Sequence, residues 1–444
     1  MKFKFSWLGL LLIPAWLPAQ TWSLNDCIRE ALSHKESILS ARLDIADAEQ
    51  GKKGSYSAVI PSFRLSGGWQ ESRFPGRDFA LDPITGEPII GTGSSKVNSV
   101  TSISSGFSGN GTIYDGGRWW NTIARASNNL VITRQRSRQT TINVIEGVVN
   151  AFYSQLKAEQ LLEVARKNLE LSTRQVELVQ RQFDLGAVKK TDLLKAEVRK
   201  GQATMDLLNR EVALKSAQRT LLNALGRPPS EAPLSLVKEA EPLKPIPEPA
   251  AAAAVLEQSN PALLAVKSTV VDATLGLKLI RGARLPSLNY QLSYGASSDA
   301  LNTLGQAYQD KWSFNAGLSL SFPLFSGFDL STKTQQARIN VNKKTLDEAS
   351  TRKDLLVQLS AALDGLKAYH DIIPITRDVL ASAEEDLNLV EKRYALGSAT
   401  ILEVLDAQVS VVKARSDVIT TVYDARIQEA RVDALLGVLD NFDR

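Results

Sequence analysis

Side chains with reactive groups are few in this chain of 444 residues. The two histidines, His34 and His370, lie far apart, and the single Cys27 can form neither an internal disulfide nor a metal cluster. The glycines near Gly109 and Gly116 lack the helix-opening context of a phosphate-binding loop. We therefore predict no catalytic residue, no metal site and no cofactor, and we do not expect an enzyme.

Glu403 and Asp406 are the carboxylates whose spacing is most informative. They stand three residues apart in a predicted helix, so both point to the same side of it. They also lie in the first turns of that helix, where the helix dipole favours a negative charge without any further role. Their spacing alone leaves a functional pair and a simple helix-end pair both open.

The segment that carries these residues occurs twice in the chain. The motif Phe183-Asp184-Leu185-Gly186 recurs 211 residues later as Tyr394-Ala395-Leu396-Gly397. The helix ends Leu225-Gly226 and Leu436-Gly437 are separated by the same 211 residues. An offset that stays constant over such a length indicates rigid rods. Each motif ends in a glycine, which accepts the left-handed conformation needed where a helix reverses direction.

Each repeat is predicted to contain a helix of modest length, two strands, a very long helix and a shorter helix. The first repeat spans 20–226, with strands at about 61–72 and 99–113 and with helices at 36–57, 118–184 and 189–225. The second repeat spans 261–438, with strands at about 286–297 and 311–323 and with helices at 261–283, 329–394 and 400–436. A proline-rich linker, 227–260, joins the two repeats, and 439–444 form a tail.

The long helices and the strands have different sequence patterns. A helix of 67 residues would be about 100 Å long, and apolar residues at seven-residue steps indicate coiled-coil packing. Pro374 is expected to kink the second long helix locally. The strands alternate aromatic or aliphatic residues, such as Trp312 and Phe314, with small uncharged polar ones. This alternation favours an apolar face toward lipid. The predicted fold class is thus a mixed α/β membrane protein with an internal duplication.

Four strands cannot close a barrel, because about eight is the smallest number that works. The chain is therefore predicted to oligomerise. Residues 1–19 are predicted to be a signal peptide, because Lys2 and Lys4 precede an apolar stretch that ends at Pro18-Ala19. A short anchor helix is the alternative for this segment.

Cys27, the tryptophan pair Trp119-Trp120 and the overall charge each lead to one further expectation. Cys27 is expected to pack inside a short helix rather than to carry a lipid. Trp119 and Trp120 follow a predicted strand-to-helix junction, and they are predicted to lie at a membrane interface, with simple packing as the alternative. The formal charge of +4 comes without a basic, aromatic-rich run, so no nucleic-acid partner is expected.

Over essentially its whole mature length, the chain resembles the TolC-like outer-membrane efflux proteins, also called outer membrane factors. The resemblance rests on the two duplicated motifs, on Thr191-Asp192 and the run from Ile401 to Ala407 that follow them, on Pro61 and Pro286 before the strands, and on the Leu-Gly helix ends. It implies a homotrimer with a 12-stranded barrel, four strands per subunit, in the outer membrane of a Gram-negative bacterium. An α-helical barrel would extend from it into the periplasm.

The resemblance also implies an exit duct for efflux or type I secretion. Its periplasmic tips would dock an adaptor (membrane fusion) protein that belongs to an inner-membrane transporter, of the resistance-nodulation-division or the ABC type. The alternative function is that of a periplasmic coiled-coil adaptor or scaffold without a membrane barrel.

Roles for individual residues follow from the same resemblance. Glu403 and Asp406 would ring the narrowest point of the channel. Thr191, Asp192 and Tyr394 would help to lock neighbouring tip helices in the closed state, while Gly186 and Gly397 would take part in adaptor docking. For Asp192 the alternative is a plain carboxylate at the N-terminus of a helix. The locking arginine of the family falls at Ala399, so we expect that Lys189, Lys190 or Arg393 replaces it.

Overall fold

The structure is a computed structural model of the whole chain. It describes residues 21–75, 79–81, 88–90, 97–228, 232, 234–238 and 242–440. The predicted signal peptide, 1–19, lies outside the described residues, as do the last four residues of the predicted tail.

The described residues form nine α-helices, of which two have 67 residues each. The helices are α1 (Leu24–His34), α2 (Glu36–Ser55), α3 (Arg118–Asp184), α4 (Lys190–Ala224), α5 (Pro249–Ser259), α6 (Pro261–Gly282), α7 (Leu304–Asp310), α8 (Asp329–Ala395) and α9 (Ile401–Leu436). The two 67-residue helices are α3 and α8, and they match the predicted long helices to within one residue at each end. Helix α8 continues through Pro374, and the local kink stays a prediction.

The described strands form one four-stranded sheet and two small two-stranded pairs. The strands are β1 (Thr21–Trp22), β2 (Ser62–Pro75), β3 (Phe79–Leu81), β4 (Pro88–Ile90), β5 (Val97–Tyr114), β6 (Ser235–Leu236), β7 (Ser287–Ser298) and β8 (Trp312–Ser321). The large sheet has the order β2-β5-β7-β8, and all of its pairings are antiparallel. Its four strands are those predicted from the alternating pattern.

The two hairpins of this sheet have the same register. In the first, Ser62 lies opposite Asn110. In the second, Ser287 lies opposite Ser321. The first strands of the hairpins are therefore offset by 225 residues and the second strands by 211. The difference reflects the longer loop between β2 and β5, so the duplication is maintained residue by residue within the sheet.

The duplication also includes a helix that the sequence-based boundaries had placed in the linker 227–260. Helices α1 and α5 both have 11 residues, and they start 225 residues apart. Pro249 and Pro261 begin α5 and α6. Proline is favoured at the first position of a helix, where its missing N–H is not needed. These two prolines mark helix starts, although the high proline content of the region 227–260 had indicated a linker.

The chain divides into two compact units. The first consists of the residues up to Ile45 together with Arg134–Ala265 and Ala349–Arg444, and the second consists of Ala46–Thr133 and Val266–Glu348. Three apolar clusters stabilise the first unit, and their most buried members include Phe152, Leu256 and Val179. Cys27 is completely buried in the first of these clusters, where desolvation raises the pKa of its thiol to about 12. The thiol is thus a packing group.

Candidate functional site

The two helix reversals predicted from the duplicated motif have nearly the same backbone geometry. Gly186 has φ +71° and Gly397 has φ +73°. The N–H of Gly186 donates to the carbonyl of Phe183 at 2.8 Å, and that of Gly397 donates to the carbonyl of Tyr394 at 2.9 Å. In both turns the next residue donates a further hydrogen bond to the carbonyl five positions earlier. These bonds satisfy helix-end carbonyls that otherwise lack partners. We call the two turns, with the first turn of the helix after each, the first tip and the second tip.

Each tip exposes a leucine next to its glycine. The exposed fraction is 84% for Leu185 and 84% for Leu396. Beneath the turns, an apolar cluster joins the two repeats, and its fully or largely buried members include Val179, Leu193 and Val404. The tips are thus held on a shared core while their leucines face solvent.

The helix that follows each turn begins differently in the two tips. In the second tip, the hydroxyl of Thr400 accepts a hydrogen bond from the N–H of Glu403 at 3.3 Å. The Glu403 carboxylate accepts one from the N–H of Thr400 at 3.0 Å. This reciprocal pair is a capping box. In the first tip the equivalent residue is Lys189, which makes no side-chain capping bond.

The capping box affects the charge state of Glu403. Hydrogen bonds from the backbone and the side chain of Thr400 lower the pKa of the Glu403 carboxyl, since they stabilise its ionised form. Arg393 lies 3.6 Å from the same carboxylate, and it also donates to the carbonyl of Ser398. Of the three basic residues proposed to replace the missing tip arginine, Arg393 is thus the one placed against a predicted constriction carboxylate.

Asp406 lies on the exposed side of α9, one turn beyond Glu403. Its carboxylate is 3.3 Å from the guanidinium of Arg199, which belongs to α4. Each of the two predicted constriction carboxylates therefore has an arginine of the same chain nearby. Both pairs are solvent-exposed, so screening by water keeps the contribution of each to stability small.

The predicted lock residues are placed in different ways. The hydroxyl of Tyr394 donates to the side-chain carbonyl of Gln182 at 2.6 Å, and so connects the two tips. Asp192 lies in the first turn of α4, where its N–H donates to the carbonyl of Lys189. Thr191, like Lys189 and Lys190, is exposed. Among these residues only Tyr394 bridges the repeats within one chain.

The outer strands of the four-stranded sheet, β2 and β8, are exposed along nearly their whole described length in the isolated chain. Every residue of β8 is exposed, so neither its apolar nor its polar side packs on a core. The exposed apolar residues of the sheet include Leu65, Trp69, Phe314 and Leu318. A sandwich strand would bury one of its faces. This sheet therefore needs a different environment on each side.

Trp119 and Trp120 lie at the start of α3, directly after β5. Their rings stack with centroids 4.0 Å apart, and Asp115 accepts a hydrogen bond from the N–H of Trp119. The ring of Trp120 is exposed, whereas the indole N–H of Trp119 is buried without a partner. Local packing thus accounts for Trp119, and the interface role predicted for both residues stays a prediction.

Comparison with known proteins identifies the family. A family model described as outer membrane efflux protein matches residues 27–227 and 254–438, which is more than half of the chain. The chain belongs to the outer membrane efflux protein family. The outer membrane efflux protein BepC of Brucella suis is 26% identical over 409 residues, 90% of this chain and 84% of BepC. The outer membrane protein TolC of Vibrio cholerae is 22% identical over 433 residues, 96% of this chain and 94% of TolC.

Solved structures show the same fold. The crystal structure of the CmeC outer membrane channel of Campylobacter jejuni matches with a TM-score of 0.81 at 16% identity, over 94% of this chain and 86% of CmeC. The predicted fold class, with its duplicated long helices, is confirmed. So are the outer-membrane location and the function as an exit channel for efflux or secretion. The relatives are outer membrane proteins, which favours the channel over the scaffold alternative.

Neither a membrane-spanning helix nor a metal-binding cluster is found among the described residues. None of the helices in the described parts of the chain combines the length and the apolar character needed to cross a bilayer. Across the same residues, no group of three or more His, Cys, Asp or Glu side chains is arranged to hold a metal ion.

Sequence reasoning missed several residues of the tips. The capping box was readable, because Thr400 followed three residues later by Glu403 is its known signature. The contacts made by Gln182 and Arg199 were not readable, because they depend on how α3 and α4 pack against the second repeat. The internal repeat does not point to Arg199 either, because the equivalent residue of the second repeat, 211 positions later, is the uncharged Ser410.

Proposed function

We propose that the protein is a passive homotrimeric duct whose periplasmic tips are opened by an adaptor protein. The adaptor would belong to an inner-membrane transporter of the resistance-nodulation-division or ABC type, which would supply the energy and select the substrate. The observation that carries the proposal is the outer strand β8 of the four-stranded sheet, which is exposed on both of its faces in a subunit of an outer membrane channel family. Further copies would complete a barrel with an apolar outside and a polar inside.

Glu403 and Asp406 form the constriction in this proposal. Both carboxylates are exposed on the same side of α9, close to the tip. Copies of this pair around a threefold axis would make a ring of negative charge, which attracts cations and repels anions. Arg393 and Arg199 hold the carboxylates within each chain, so the ring's charge is partly compensated at rest.

Opening requires that contacts between the two tips break. The hydrogen bond from Tyr394 to Gln182 joins the tips of one chain, and Arg393 braces the second tip. Thr191 is exposed and Asp192 is half-buried at the start of α4, where both would face a neighbouring copy. The exposed Leu185 and Leu396, each beside its turn glycine, offer the adaptor two similar apolar docking points.

The experiment compares ion selectivity in planar bilayers. Replacing both acids, Glu403→Ala with Asp406→Ala, is expected to remove most of the preference for K⁺ over Cl⁻. The control is Glu385→Ala with Asp386→Ala, which removes the same charge from exposed positions of α8. The control should retain the wild-type selectivity.

Two results would contradict the proposal in different ways. Unchanged selectivity in the Glu403/Asp406 variant would remove these residues from the constriction but leave the duct in place. Release of the wild-type protein from membranes by a carbonate wash would contradict the duct itself, because a protein that spans the bilayer resists that treatment.

A further inference from the structure

The chain leaves the four-stranded sheet twice to begin a long helix, and the second of these exits is lined with exposed apolar side chains. Between β8 and α8, residues 322–328 include three phenylalanines and a leucine, all at least 53% exposed. We call residues 322–328 the aromatic turn. The equivalent residues of the first repeat, 111–117, include three glycines and an aspartate. The aromatic turn is therefore a feature of the second repeat only.

The length of β8 places the aromatic turn at the edge of the bilayer's hydrocarbon region. Strand β8 has 10 residues, which rise about 3.3 Å each. With a barrel tilt of about 40°, the strand spans about 25 Å, which is the height of the apolar band of an outer-membrane barrel. Proteins of this family extend their helices into the periplasm, so the aromatic turn lies beside the periplasmic leaflet.

Phe328 is held in the aromatic turn at a conformational cost. It has φ +68°, and a bulky residue in this conformation is an outlier. The equivalent residue of the first repeat is Gly117, which adopts φ +78° without strain. The ring of Phe328 meets that of Phe325 edge to face, with centroids 5.9 Å apart, but its side chain is still 73% exposed. The strained backbone thus presents an aromatic ring to the outside.

An arginine without a carboxylate partner borders the aromatic turn. Arg284 follows α6, and its guanidinium donates to the carbonyl of Leu330 at 3.3 Å. Within the described residues Arg284 forms no ion pair, whereas Arg125 of α3 donates to both carboxylate oxygens of Asp272. Arg284 and most of the aromatic turn line an open cavity of about 370 Å³. One wall of this cavity is therefore cationic and the other is apolar.

Basic residues are concentrated where the helices meet the sheet. The helix ends beside the four strands, with their connecting residues, carry seven basic side chains and two carboxylates, in the ranges 51–61, 115–122, 278–286 and 322–333. The described connection at the other end of the sheet, 299–311, has one lysine and two aspartates. The helix dipole favours the basic residues that end α2 and α6, but not Arg118, the first residue of α3. The dipole thus does not account for all of this positive charge.

We propose that this cavity binds an anionic phospholipid of the periplasmic leaflet. The phosphate lies on Arg284, whose planar guanidinium can donate two parallel hydrogen bonds to it. The acyl chains lie along the aromatic turn, because aromatic rings are favoured at the boundary of the membrane. The surrounding basic residues select a headgroup with a net negative charge. The inference rests on the proposed position of the sheet in the bilayer, and it adds a ligand class and a binding residue.

Native mass spectrometry of the full chain in detergent tests the site, with phosphatidylglycerol as the probe. The wild type is expected to bind phosphatidylglycerol about tenfold more tightly than the zwitterionic phosphatidylcholine. Arg284→Gln should lower the affinity for phosphatidylglycerol about tenfold, because it removes a charge-assisted contact to the phosphate. Arg284→Lys keeps the positive charge, and it should retain most of the affinity.

Arg338→Gln is the matched control. Arg338 is exposed on α8, and it follows the helix start at Asp329 by nine residues, or about 14 Å. This distance exceeds the thickness of a headgroup layer, about 5–8 Å, so the control should bind phosphatidylglycerol like the wild type. Glycerol 3-phosphate presents a similar phosphate without acyl chains, and it should not compete with phosphatidylglycerol at equal concentration.

Phe328→Gly separates contact with the lipid from packing within the chain. Because glycine adopts the left-handed conformation without strain, the variant should melt in detergent at a temperature no lower than that of the wild type. The lost apolar contact with the acyl chains should lower the affinity for phosphatidylglycerol roughly fivefold. A merely structural role of Phe328 would give the opposite pattern, with a lower melting temperature and an unchanged affinity.

The outcomes separate the inference from the proposed function. Wild-type affinity in the Arg284→Gln variant would overturn the site, and so would equal binding of the two phospholipids by the wild type. Competition by glycerol 3-phosphate would identify a phosphate site instead of a lipid site. A trimer by light scattering that binds no phospholipid would mean that a neighbouring copy covers the cavity, which overturns the inference but leaves the duct intact. Release of the wild type from membranes by a carbonate wash would contradict the duct itself.

Discussion

The first and second tips share a backbone but differ in the side chains that hold them. Gly186 and Gly397 adopt the same left-handed conformation and close equivalent hydrogen bonds. The first tip has Phe183 and Lys189 where the second has Tyr394 and Thr400. The hydroxyl bond between the tips and the capping box therefore both come from the second repeat. The reversal of the chain thus depends on glycine, whereas the bonds proposed to keep the duct closed depend on residues found in one repeat only.

The largest expected effect tests the shared backbone. Gly186→Ala and Gly397→Ala should each destabilise the protein by about 1–2 kcal/mol, because the left-handed conformation is unfavourable for alanine. An added Cβ meets open space at both positions, so the two losses should be similar. Apparent melting temperatures from far-UV circular dichroism in detergent would measure them.

The matched control is a glycine in a regular helix. Gly201→Ala lies inside α4, where an added Cβ also meets open space, and it should stabilise the helix by about 1 kcal/mol. A loss at one tip glycine that is much larger than at the other would show that the turns are not equivalent.

The next effect concerns the helix start that differs between the tips. Thr400→Ala removes the capping box, and it should cost about 1 kcal/mol. Lys189→Thr introduces a capping residue three positions before Asp192. It should stabilise the first tip by part of the free energy that Thr400→Ala costs the second tip. Hydrogen exchange of the first-turn amides of α4 and α9 would report each change locally. Equal protection of α9 in the wild type and in the Thr400→Ala variant would contradict the role of the box.

The bond between the tips gives a gating prediction. Tyr394→Phe gives the second tip the residue type that the first tip has at Phe183. It removes a hydrogen bond worth about 1 kcal/mol. If this bond breaks on opening, the ratio of closed to open channels should fall roughly fivefold, since 1.4 kcal/mol corresponds to a factor of ten. Single-channel recordings would measure the open probability.

The control for this gating effect is the same chemical change at a tyrosine of α9 that lies away from the tips. The hydroxyl of Tyr423 accepts a hydrogen bond from Gln160 away from the tip, so Tyr423→Phe should affect stability but not gating. An unchanged open probability in the Tyr394→Phe variant would mean that this bond persists in the open channel.

The sequence predicted those parts of the fold that repeat and those that follow a regular pattern. The long helices and the four sheet strands were predictable, because the spacing of their apolar residues and the constant repeat offset can be read directly from the sequence. Helix α5 was missed because its first-turn proline resembles a linker residue. Helix α7 was missed because it has only seven residues between two strands, too few to show a helical period.

For the candidate site, predictability ended where contacts cross between helices. The turn glycines and the carboxylate pair could be located from the motif alone. The partner of Asp406 could not, because Arg199 reaches it only through the packing of α4 beside α9. Likewise, Gln182 gains its role from Tyr394, which is 212 residues away in the chain. Such pairs depend on tertiary packing rather than on local spacing.

The smallest expected effect is a pH dependence that should occur in the second tip alone. Thr400 lowers the pKa of Glu403, so the ionised carboxylate stabilises the folded helix start. Because the folded pKa is the lower one, this stabilisation is present above the ordinary glutamate pKa of about 4.3 and is lost as the pH falls through the folded value. Protection factors of the first-turn amides of α9 should therefore decrease in that acidic range. The same decrease should be absent in the Thr400→Ala variant and in α4, whose N-cap residue makes no capping bond. An equal decrease in α4 would assign the effect to general acid destabilisation and remove this difference between the tips.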